Sequence, residues 1–249
     1  MGVNLDPQSK VSHPYWARRV DKLKAPDVPP EVLNLNVAGR RAVGPLQGFG
    51  QLWQKTFRIH LVGANATPTE VIAEWKAAFP CFKPAEKRFY PSSEGIVPGE
   101  VVLINAWTPG GPIATGVVVL YADDESFTMM TPQGHPEAGW VTLSAYVEDG
   151  VTVAQVQVQA RASDPVYEMA FRLMGSRLQD YIWEHALTEL AAYFGVKGQP
   201  VEADRQLLAR RVQWRRIGNI WYNAQIRTLL YQVALPLRWL RRRLVKAPS

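Results

Sequence analysis

The sequence predicts an α+β fold, in which an antiparallel sheet packs against one long helix in the second half of the chain. Three observations support this prediction. Seven segments have strand patterns, short turn sequences separate most of them, and a helical pattern then runs from Asp164 to Val196. Strands joined by short turns pair antiparallel, because parallel neighbours need a long crossover connection. The predicted element order is therefore β, α, several antiparallel β, and a long α-helix.

The long helix has clear start and stop signals. Asp164 is a capping residue and Pro165 suits the first helical position, whereas Gly195, Gly198 and Pro200 mark the other end. A helix of this length spans roughly 45 Å, so it needs a large apolar surface to pack against. An apolar series at a spacing of four supplies the helix side of that contact: Val166, Ala170, Met174, Leu178, Ile182, Ala186, Leu190 and Phe194.

The first predicted strand, Gln51–Val62, alternates apolar and polar residues except at Lys55, which stands in the apolar row. A helix follows this strand, because Thr67, Pro68 and Glu70 form a capping-box signature that opens an apolar helical pattern. The remaining predicted strands are Lys87–Tyr90, Glu100–Thr108, Ile113–Ala122, Ser126–Thr131, Gly139–Glu148 and Val151–Ala162, with Asp149-Gly150 as a hairpin turn.

Composition limits the class of protein. The 249 residues suffice for one large domain with appendages or for two small ones. The sequence contains no long uncharged apolar run and no secretory signal, and its only cysteine, Cys81, excludes an internal disulfide. We therefore expect a cytoplasmic protein. Charge is unevenly distributed, since residues 203–249 hold eleven Lys and Arg residues against one acidic residue, Asp204.

These patterns divide the chain into three parts. Residues 1–46 are rich in Pro, Asn and charge, and we predict an extended arm that lies against the body. Residues 47–196 form the α+β domain, and residues 197–249 form a basic helical extension.

The predicted element order is that of a helix-grip fold, and the chain resembles the START-like (SRPBCC) superfamily. More narrowly, Phe127-Thr128 followed by Thr131–Gly139 (TPQGHPEAG) is similar to the FT…GHPxxG stretch of the domain-of-unknown-function family nineteen-ninety. Arg161-Ala162-Ser163 also fits the polar end of that family's last strand, whereas Trp140 stands where an acidic residue is expected. The family has no established activity, so the resemblance implies a fold and a partly open cavity between sheet and helix.

Few residues in the sequence indicate catalysis. His135 is the strongest candidate, either as an acid, a base or a polar gate at a cavity mouth, or as a turn residue whose ring satisfies backbone groups. Glu137 is expected to be a solvated turn carboxylate. The other histidines show no metal-ligand spacing, and no nucleophile motif or phosphate-binding loop occurs. We predict neither a metal nor a cofactor.

A ligand cavity between sheet and helix would have an apolar, aromatic lining, which is typical of sites for small hydrophobic molecules. The same residues would serve equally well as an ordinary core, and periodicity does not say which strand face points inward. The candidate lining residues are Trp53, Phe57, Phe89, Trp107, Phe127, Met129, Trp140, Tyr146, Met174 and Tyr181.

The C-terminal extension has helical periodicity from Glu202 to Ala234, and Pro236 is expected to kink or end the helix. Basic residues beside Trp and Leu favour a helix that lies on an anionic membrane surface. Packing on the body or on a second copy, and nucleic-acid binding, are the alternatives. The candidate contact residues are Trp214, Arg215, Arg216, Trp221, Arg238, Trp239, Arg241, Arg242 and Arg243.

The leading functional hypothesis is therefore non-catalytic binding of a hydrophobic small molecule or lipid, by a cytoplasmic protein attached peripherally to an anionic membrane. An enzyme that uses the same cavity with His135 as acid or base is one alternative. The other is an interaction subunit, whose arm and tail bind a protein partner or a second copy of the chain.

Overall fold

The computed structural model describes residues 14–25, 27–28, 31–174 and 177–245, and leaves the side chains of residues 174, 178 and 236–245 outside that description. In chain order the elements are β1 (Ala42–Val43), a 3-10 turn (Pro45–Gln47), β2 (Leu52–His60), α1 (Pro68–Ala77), a 3-10 turn (Phe79–Cys81), β3 (Lys87–Tyr90), β4 (Val101–Thr108), β5 (Gly111–Ala122), β6 (Ser126–Pro132), β7 (Glu137–Glu148), β8 (Val151–Ala162), α2 (Pro165–Met174), α3 (Arg177–Tyr193), β9 (Glu202–Ala209), a 3-10 helix (Trp214–Tyr222) and α4 (Ala224–Val245).

The described strands form one antiparallel sheet in the order β3-β4-β5-β6-β7-β8-β2-β9, and β1 pairs with β6 outside that path. All seven predicted strands are present, and the helix predicted from the capping box is α1. Since α3 packs against one face of this sheet, the fold is the START-like helix-grip arrangement that the sequence predicts.

Alternation along the strands separates two apolar layers. Phe57, Leu143 and Val156 point to the inner face, where they form the main core with Leu187 and Leu190 of α3. Residues of opposite parity form a second layer on the outer face, which the N-terminal arm covers. Its members are Leu23, Val32 and Val37 from the arm and Val101, Leu103 and Val118 from the sheet. The described part of the arm therefore lies against the body.

The predicted long helix, Asp164 to Val196, is present as α2 and α3, and its continuity between them stays a prediction. The two residues between them, Gly175 and Ser176, lie outside the described part of the chain.

The prediction of a continuous helix from Glu202 to Ala234 was wrong. Its first part is the strand β9, which pairs with β2 so that Trp53 lies opposite Leu207 and Lys55 opposite Arg205. Without β9, β2 would be the edge strand of the sheet, and the backbone groups on that edge would be unpaired. The helix α4 does follow, and its backbone continues through Pro236, so the proline does not end the helix, and a kink there stays a prediction.

One buried side chain joins three of these elements. Asp164 is 0% exposed; its Oδ1 accepts hydrogen bonds from the backbone N–H groups of Val166 (2.8 Å) and Tyr167 (3.1 Å), which caps α2. Its Oδ2 accepts a hydrogen bond from Asn223 Nδ2 at 2.8 Å. Asn223 in turn caps α4, because its Oδ1 accepts from the Ile226 N–H at 3.0 Å. The end of β8 is thereby tied to the starts of two helices.

A second set of contacts seats α4 on the sheet. The strand β6 ends at Pro132, so the backbone of Ala114 in β5 lies beyond its reach. Thr228 Oγ1 of α4 accepts from the Ala114 N–H at 3.1 Å, and Asn36 Nδ2 of the arm donates to the Ala114 carbonyl at 2.8 Å. The arm and α4 therefore complete the hydrogen bonding of a strand that has lost its neighbour.

The substitution Asp164→Ala should lower the free energy of unfolding by about 2–4 kcal/mol, because it removes a helix cap and leaves the buried Asn223 amide unpaired. Chemical denaturation measures this change, with the exposed Asp21→Ala as the matched control. Equal stabilities for the two variants would contradict the role assigned to Asp164.

Candidate functional site

A cluster of polar and charged side chains lies on the inner face of the sheet, opposite the first half of α3. Strand alternation places them there: Lys55 shares a face with Phe57 and Lys87 with Phe89, on the side that faces the main core. The cluster consists of Lys55, Lys87, His135, Glu137, Gln179, Asp180 and Arg205. The second half of α3 packs in the apolar core. The space between the sheet and α3 therefore has an apolar end and a polar end.

The best-defined part of this cluster is an ion pair. Lys55 is 5% exposed, and its Nζ lies 2.9 Å from Asp180 Oδ1 of α3. Arg205 Nε lies 3.0 Å from Asp180 Oδ2. Because Lys55 and Arg205 are directly opposite one another in the β2–β9 register, their charges would repel without the carboxylate between them. Asp180 thus fixes α3 against these two strands.

Glu137 is the first residue of β7 and points toward the same helix. Gln179 Nε2 lies 2.7 Å and 2.9 Å from its two carboxylate oxygens. Burial raises the pKa of Glu137, while the nearby charges of Lys55 and Lys87 and the hydrogen bond from Gln179 oppose that rise. The expectation of a solvated turn carboxylate was therefore wrong, because α3 covers the turn.

Lys87 differs from the other charged members of the cluster. Burial lowers the pKa of its ammonium to about 8, with Glu137 and Glu86 acting in the opposite direction. In the described part of the chain, Nζ has neither a hydrogen-bond acceptor nor an ion-pair partner within contact distance. The side chain is only partly accessible to solvent. A cation held inside the protein without an acceptor is suited to bind a negatively charged or carbonyl oxygen.

His135 occupies the predicted turn between β6 and β7. Its Nδ1 accepts a hydrogen bond from the Glu137 N–H at 3.1 Å, so the ring satisfies a backbone group as the second interpretation expected. Burial lowers the pKa of His135 to about 4, and the imidazole is neutral near pH 7. The same nitrogen lies 3.1 Å from the Glu137 carbonyl oxygen, so either neutral tautomer of the ring finds a backbone partner there. The ring is therefore neutral rather than a group that titrates near neutrality.

The ten predicted cavity residues do not lie together. Phe57, Phe127 and Met129 point inward and are buried in the core, and Phe89 packs beside them against Phe79. Trp53 also has inner-face parity, but it stands at the solvent-exposed end of β2.

The other predicted lining residues were placed wrongly or are not described. Trp107 is 70% exposed, and Trp140 and Tyr146 belong to the outer face by their alternation along β7. Tyr181 is exposed on α3, and the side chain of Met174 lies outside the described residues. Apolar composition alone did not distinguish the two strand faces.

The predicted C-terminal contact residues are described only in part. Trp214, Arg215 and Trp221 are exposed, and Arg216 is partly buried. The side chains of Arg238, Trp239, Arg241, Arg242 and Arg243 lie outside the described residues. Within residues 14–25, 27–28, 31–174 and 177–245, no group of acidic, His and Cys residues is arranged to hold a metal ion. In the same residues, no helix combines the length and apolar character that a membrane span requires.

Sequence reasoning missed most of this polar cluster, although one signal was present. Lys55 stands in the apolar row of its strand, and a lysine at such a position is buried and needs a carboxylate partner. Lys87 likewise lies on the same strand face as the apolar Phe89, but its strand is only four residues long. The carboxylates come from β7 and α3, and their approach to the lysines depends on the curvature of the sheet.

The two inner-face lysines should respond oppositely to the change to methionine. Lys87→Met should raise the free energy of unfolding at pH 7 by on the order of 1–3 kcal/mol, because the substitution removes a buried charge whose pKa is depressed. Lys55→Met should lower it by about 1–3 kcal/mol, because Asp180 would lose its buried lysine partner. Urea denaturation at pH 7 measures both changes, and shifts of the same sign would contradict this assignment.

The lowered pKa of Lys87 also sets a pH dependence. Between about pH 8 and pH 10.5 the unfolded chain keeps a proton that the native lysine has lost, so stability should rise with pH across this window. This rise in the free energy of unfolding should be absent in Lys87→Met and present in the exposed control Lys24→Met.

Comparison with known proteins finds no matching protein-family model and no matching curated protein. Among solved structures, the di-domain ARO/CYC protein StfQ from the steffimycin biosynthetic pathway is similar over 58% of this chain and 50% of its own, with 15% identity and a TM-score of 0.45. This chain thus spans half the length of StfQ.

A START superfamily protein from Mycobacterium smegmatis is similar over 58% of this chain and 99% of its own, with 17% identity and a TM-score of 0.42. An uncharacterized protein from Rhizobium leguminosarum shares 18% identity over 58% of this chain and 96% of its own, with a TM-score of 0.42. The narrower resemblance to family nineteen-ninety stays a prediction. The START-like fold itself follows from the strand order and from the helix held against the inner face of the sheet.

Proposed function

We propose that the chain binds a small amphipathic molecule between the sheet and α3, with an anionic or carbonyl oxygen of the ligand at Lys87. The observation that carries the proposal is the Lys87 ammonium, which lies on the inner face of the sheet with no acceptor among the described residues. Both buried carboxylates nearby already have donors, since Asp180 binds Lys55 and Arg205 and Glu137 binds Gln179. A ligand oxygen would supply the missing partner.

The surroundings of Lys87 support an amphipathic rather than a fully polar ligand. Phe89 stands two residues further along the same strand face and stacks on Phe79, with ring centroids 5.4 Å apart. The neutral ring of His135 lies close to the ammonium, since the two side chains interact electrostatically, and it adds a polar group to the site. An apolar wall with a few polar groups is the usual composition of a small-molecule site.

The enzyme hypothesis has less support than binding. An acid or base that works near neutral pH needs a pKa near that range, whereas burial lowers the pKa of His135 to about 4. Its Nδ1 is also engaged with the Glu137 backbone. Non-catalytic binding therefore remains the leading proposal. A space between the sheet and α3 that is filled by the protein's own side chains would oppose it.

Two related fluorescent probes test the proposal: the anionic 8-anilino-1-naphthalenesulfonate and the neutral N-phenyl-1-naphthylamine. Lys87→Met should weaken binding of the sulfonate about tenfold and change binding of the neutral probe much less, because only the sulfonate uses the ammonium. Affinity for the sulfonate should also fall as the pH rises through about 8, where Lys87 loses its charge. Lys24→Met is the control, and equal affinities for the two lysine variants would overturn the proposal.

A second observation favours peripheral attachment to an anionic membrane. Ile226, Leu229, Leu230 and Val233 follow helical spacing along one face of α4, and all are exposed to solvent. Trp221, in the preceding 3-10 helix, is 80% exposed as well. The extension carries almost only basic charge, and each cation near an anionic bilayer contributes about 1 kcal/mol. An anionic bilayer therefore fits both the exposed apolar face and the charge.

Flotation with phosphatidylcholine vesicles, with and without phosphatidylglycerol, tests the attachment. Val233→Asp should reduce binding to the anionic vesicles about tenfold, because it places a carboxylate at the apolar face. Val147→Asp is the matched control, since Val147 is 61% exposed at the opposite end of the sheet and the net charge changes equally. Equal losses would mean that attraction is only electrostatic, and no binding by the unaltered chain would direct attention to a protein partner or nucleic acid.

A further inference from the structure

The outer face of the sheet carries a recess of about 750 Å³ between the N-terminal arm and the 3-10 helix Trp214–Tyr222. Its floor is formed by Met130, Trp140 and Gln159, which have outer-face parity on β6, β7 and β8. This recess is therefore separated from Lys87 by the thickness of the sheet. It depends on neither the ligand nor the residues of the inner site.

The charge in this recess has one sign. Arg19, Arg41 and Arg216 contribute to its wall, and none of the eighteen lining residues is acidic. None of the three guanidinium groups has a carboxylate partner in the described part of the chain. Guanidinium groups present several donors in a planar fork, which suits the oxygens of a phosphate.

Two polar atoms of the recess residues are buried without a partner. Ser163 is 3% exposed, and its Oγ makes no hydrogen bond to any described residue; the same is true of Arg216 Nε. Asn219, between them in the wall, donates from Nδ2 to the carbonyls of Ser163 (2.7 Å) and Gln47 (2.8 Å). Because unpaired buried polar groups are costly, a donor and a hydroxyl left free beside three cations indicate an absent acceptor.

The 3-10 helix carries exposed apolar side chains beside this recess. With three residues per turn, Arg216 and Asn219 lie along one edge, whereas Trp214 and Ile217 lie along another. The first edge lines the recess, and the second is exposed to solvent. Trp214 also packs edge-on against Phe49, with ring centroids 5.5 Å apart, and this contact holds the 3-10 helix in position.

We propose that this recess binds a phosphate monoester, with the phosphate held by Arg19, Arg41 and Arg216 and the attached organic group against Trp140. The phosphate would also accept from Arg216 Nε, and the Ser163 hydroxyl would donate to it. The ligand is either a soluble phosphate monoester or the headgroup of a lipid with a terminal phosphate, and the recess chemistry is common to both.

The test uses sn-glycerol 3-phosphate as the soluble probe and phosphatidylcholine vesicles containing phosphatidic acid as the lipid probe, both at fixed ionic strength. The recess variant is Arg41→Gln with Arg216→Gln. Its control is Lys22→Gln with Lys24→Gln, which removes the same charge from exposed positions outside both the recess and the C-terminal extension. Isothermal titration and vesicle flotation give the affinities, and Ser163→Ala tests the buried hydroxyl separately.

We expect the recess variant to lose at least about tenfold in affinity for one probe, while the control loses less than about threefold. Loss with glycerol 3-phosphate identifies a soluble ligand, and loss with phosphatidic acid vesicles alone identifies a lipid headgroup. Equal losses in recess and control variants, or no binding of either probe, would overturn the proposal. Lys87→Met should leave both affinities unchanged, which separates failure here from failure at the inner site.

Discussion

The buried carboxylate of Asp164 is the constraint on which both candidate sites depend. It caps α2, binds the residue that caps α4, and follows directly on β8. Ala162, the last residue of that strand, pairs with Glu137, and Ser163 lies between Ala162 and Asp164. The same short segment therefore fixes Glu137 toward the inner cluster and Ser163 toward the outer recess. An ordered end of β8 is a condition for either site to keep its shape.

The GHPEAG sequence has a structural explanation at this end of the sheet. Gly134 has φ +95, and a Cβ there would collide with the Tyr222 carbonyl, so glycine permits both the turn and the close approach of the 3-10 helix. A Cβ at Gly139 would meet the Gln159 carbonyl on β8. His135 satisfies the Glu137 N–H, and Glu137 bonds Gln179. The two glycines therefore permit close approach of neighbouring backbone, and His135 and Glu137 supply polar groups to the inner cluster.

The strands and α1 were predictable because their signals are local. The capping box at Thr67 and Glu70 forms as expected, and the hairpin at Asp149-Gly150 has both residues at positive φ. The strand β9 was not predictable in the same way. Its residues are mostly exposed, so it lacks strong apolar alternation, and it is a strand because it pairs with the edge of β2. That pairing is a property of the assembled sheet.

The candidate sites were less predictable than the fold, because a site depends on which strand face points inward. Trp140 and Phe127 are both aromatic strand residues, yet one faces the outer recess and the other the core. The recess also combines Arg19 and Arg41 of the arm with Arg216, which follows nearly two hundred residues later. No local pattern relates these arginines. Only the arm crossing the outer face and the 3-10 helix returning to it bring them together.

The two faces of β7 show how one strand supports two different kinds of recognition. On the inner side, Glu137 is engaged by Gln179 and faces lysines, so charges are largely compensated, and Lys87 has no direct partner among the described residues. On the outer side, Trp140 and three arginines line a recess that contains no acidic side chain among the described residues. A compensated site favours a ligand with one weakly charged oxygen and a large apolar part, whereas an uncompensated site favours a doubly charged phosphate. Because Arg216 and the exposed Trp214 belong to one short 3-10 helix, occupation of the outer recess and contact with an anionic surface would stabilise the same segment, and each would favour the other.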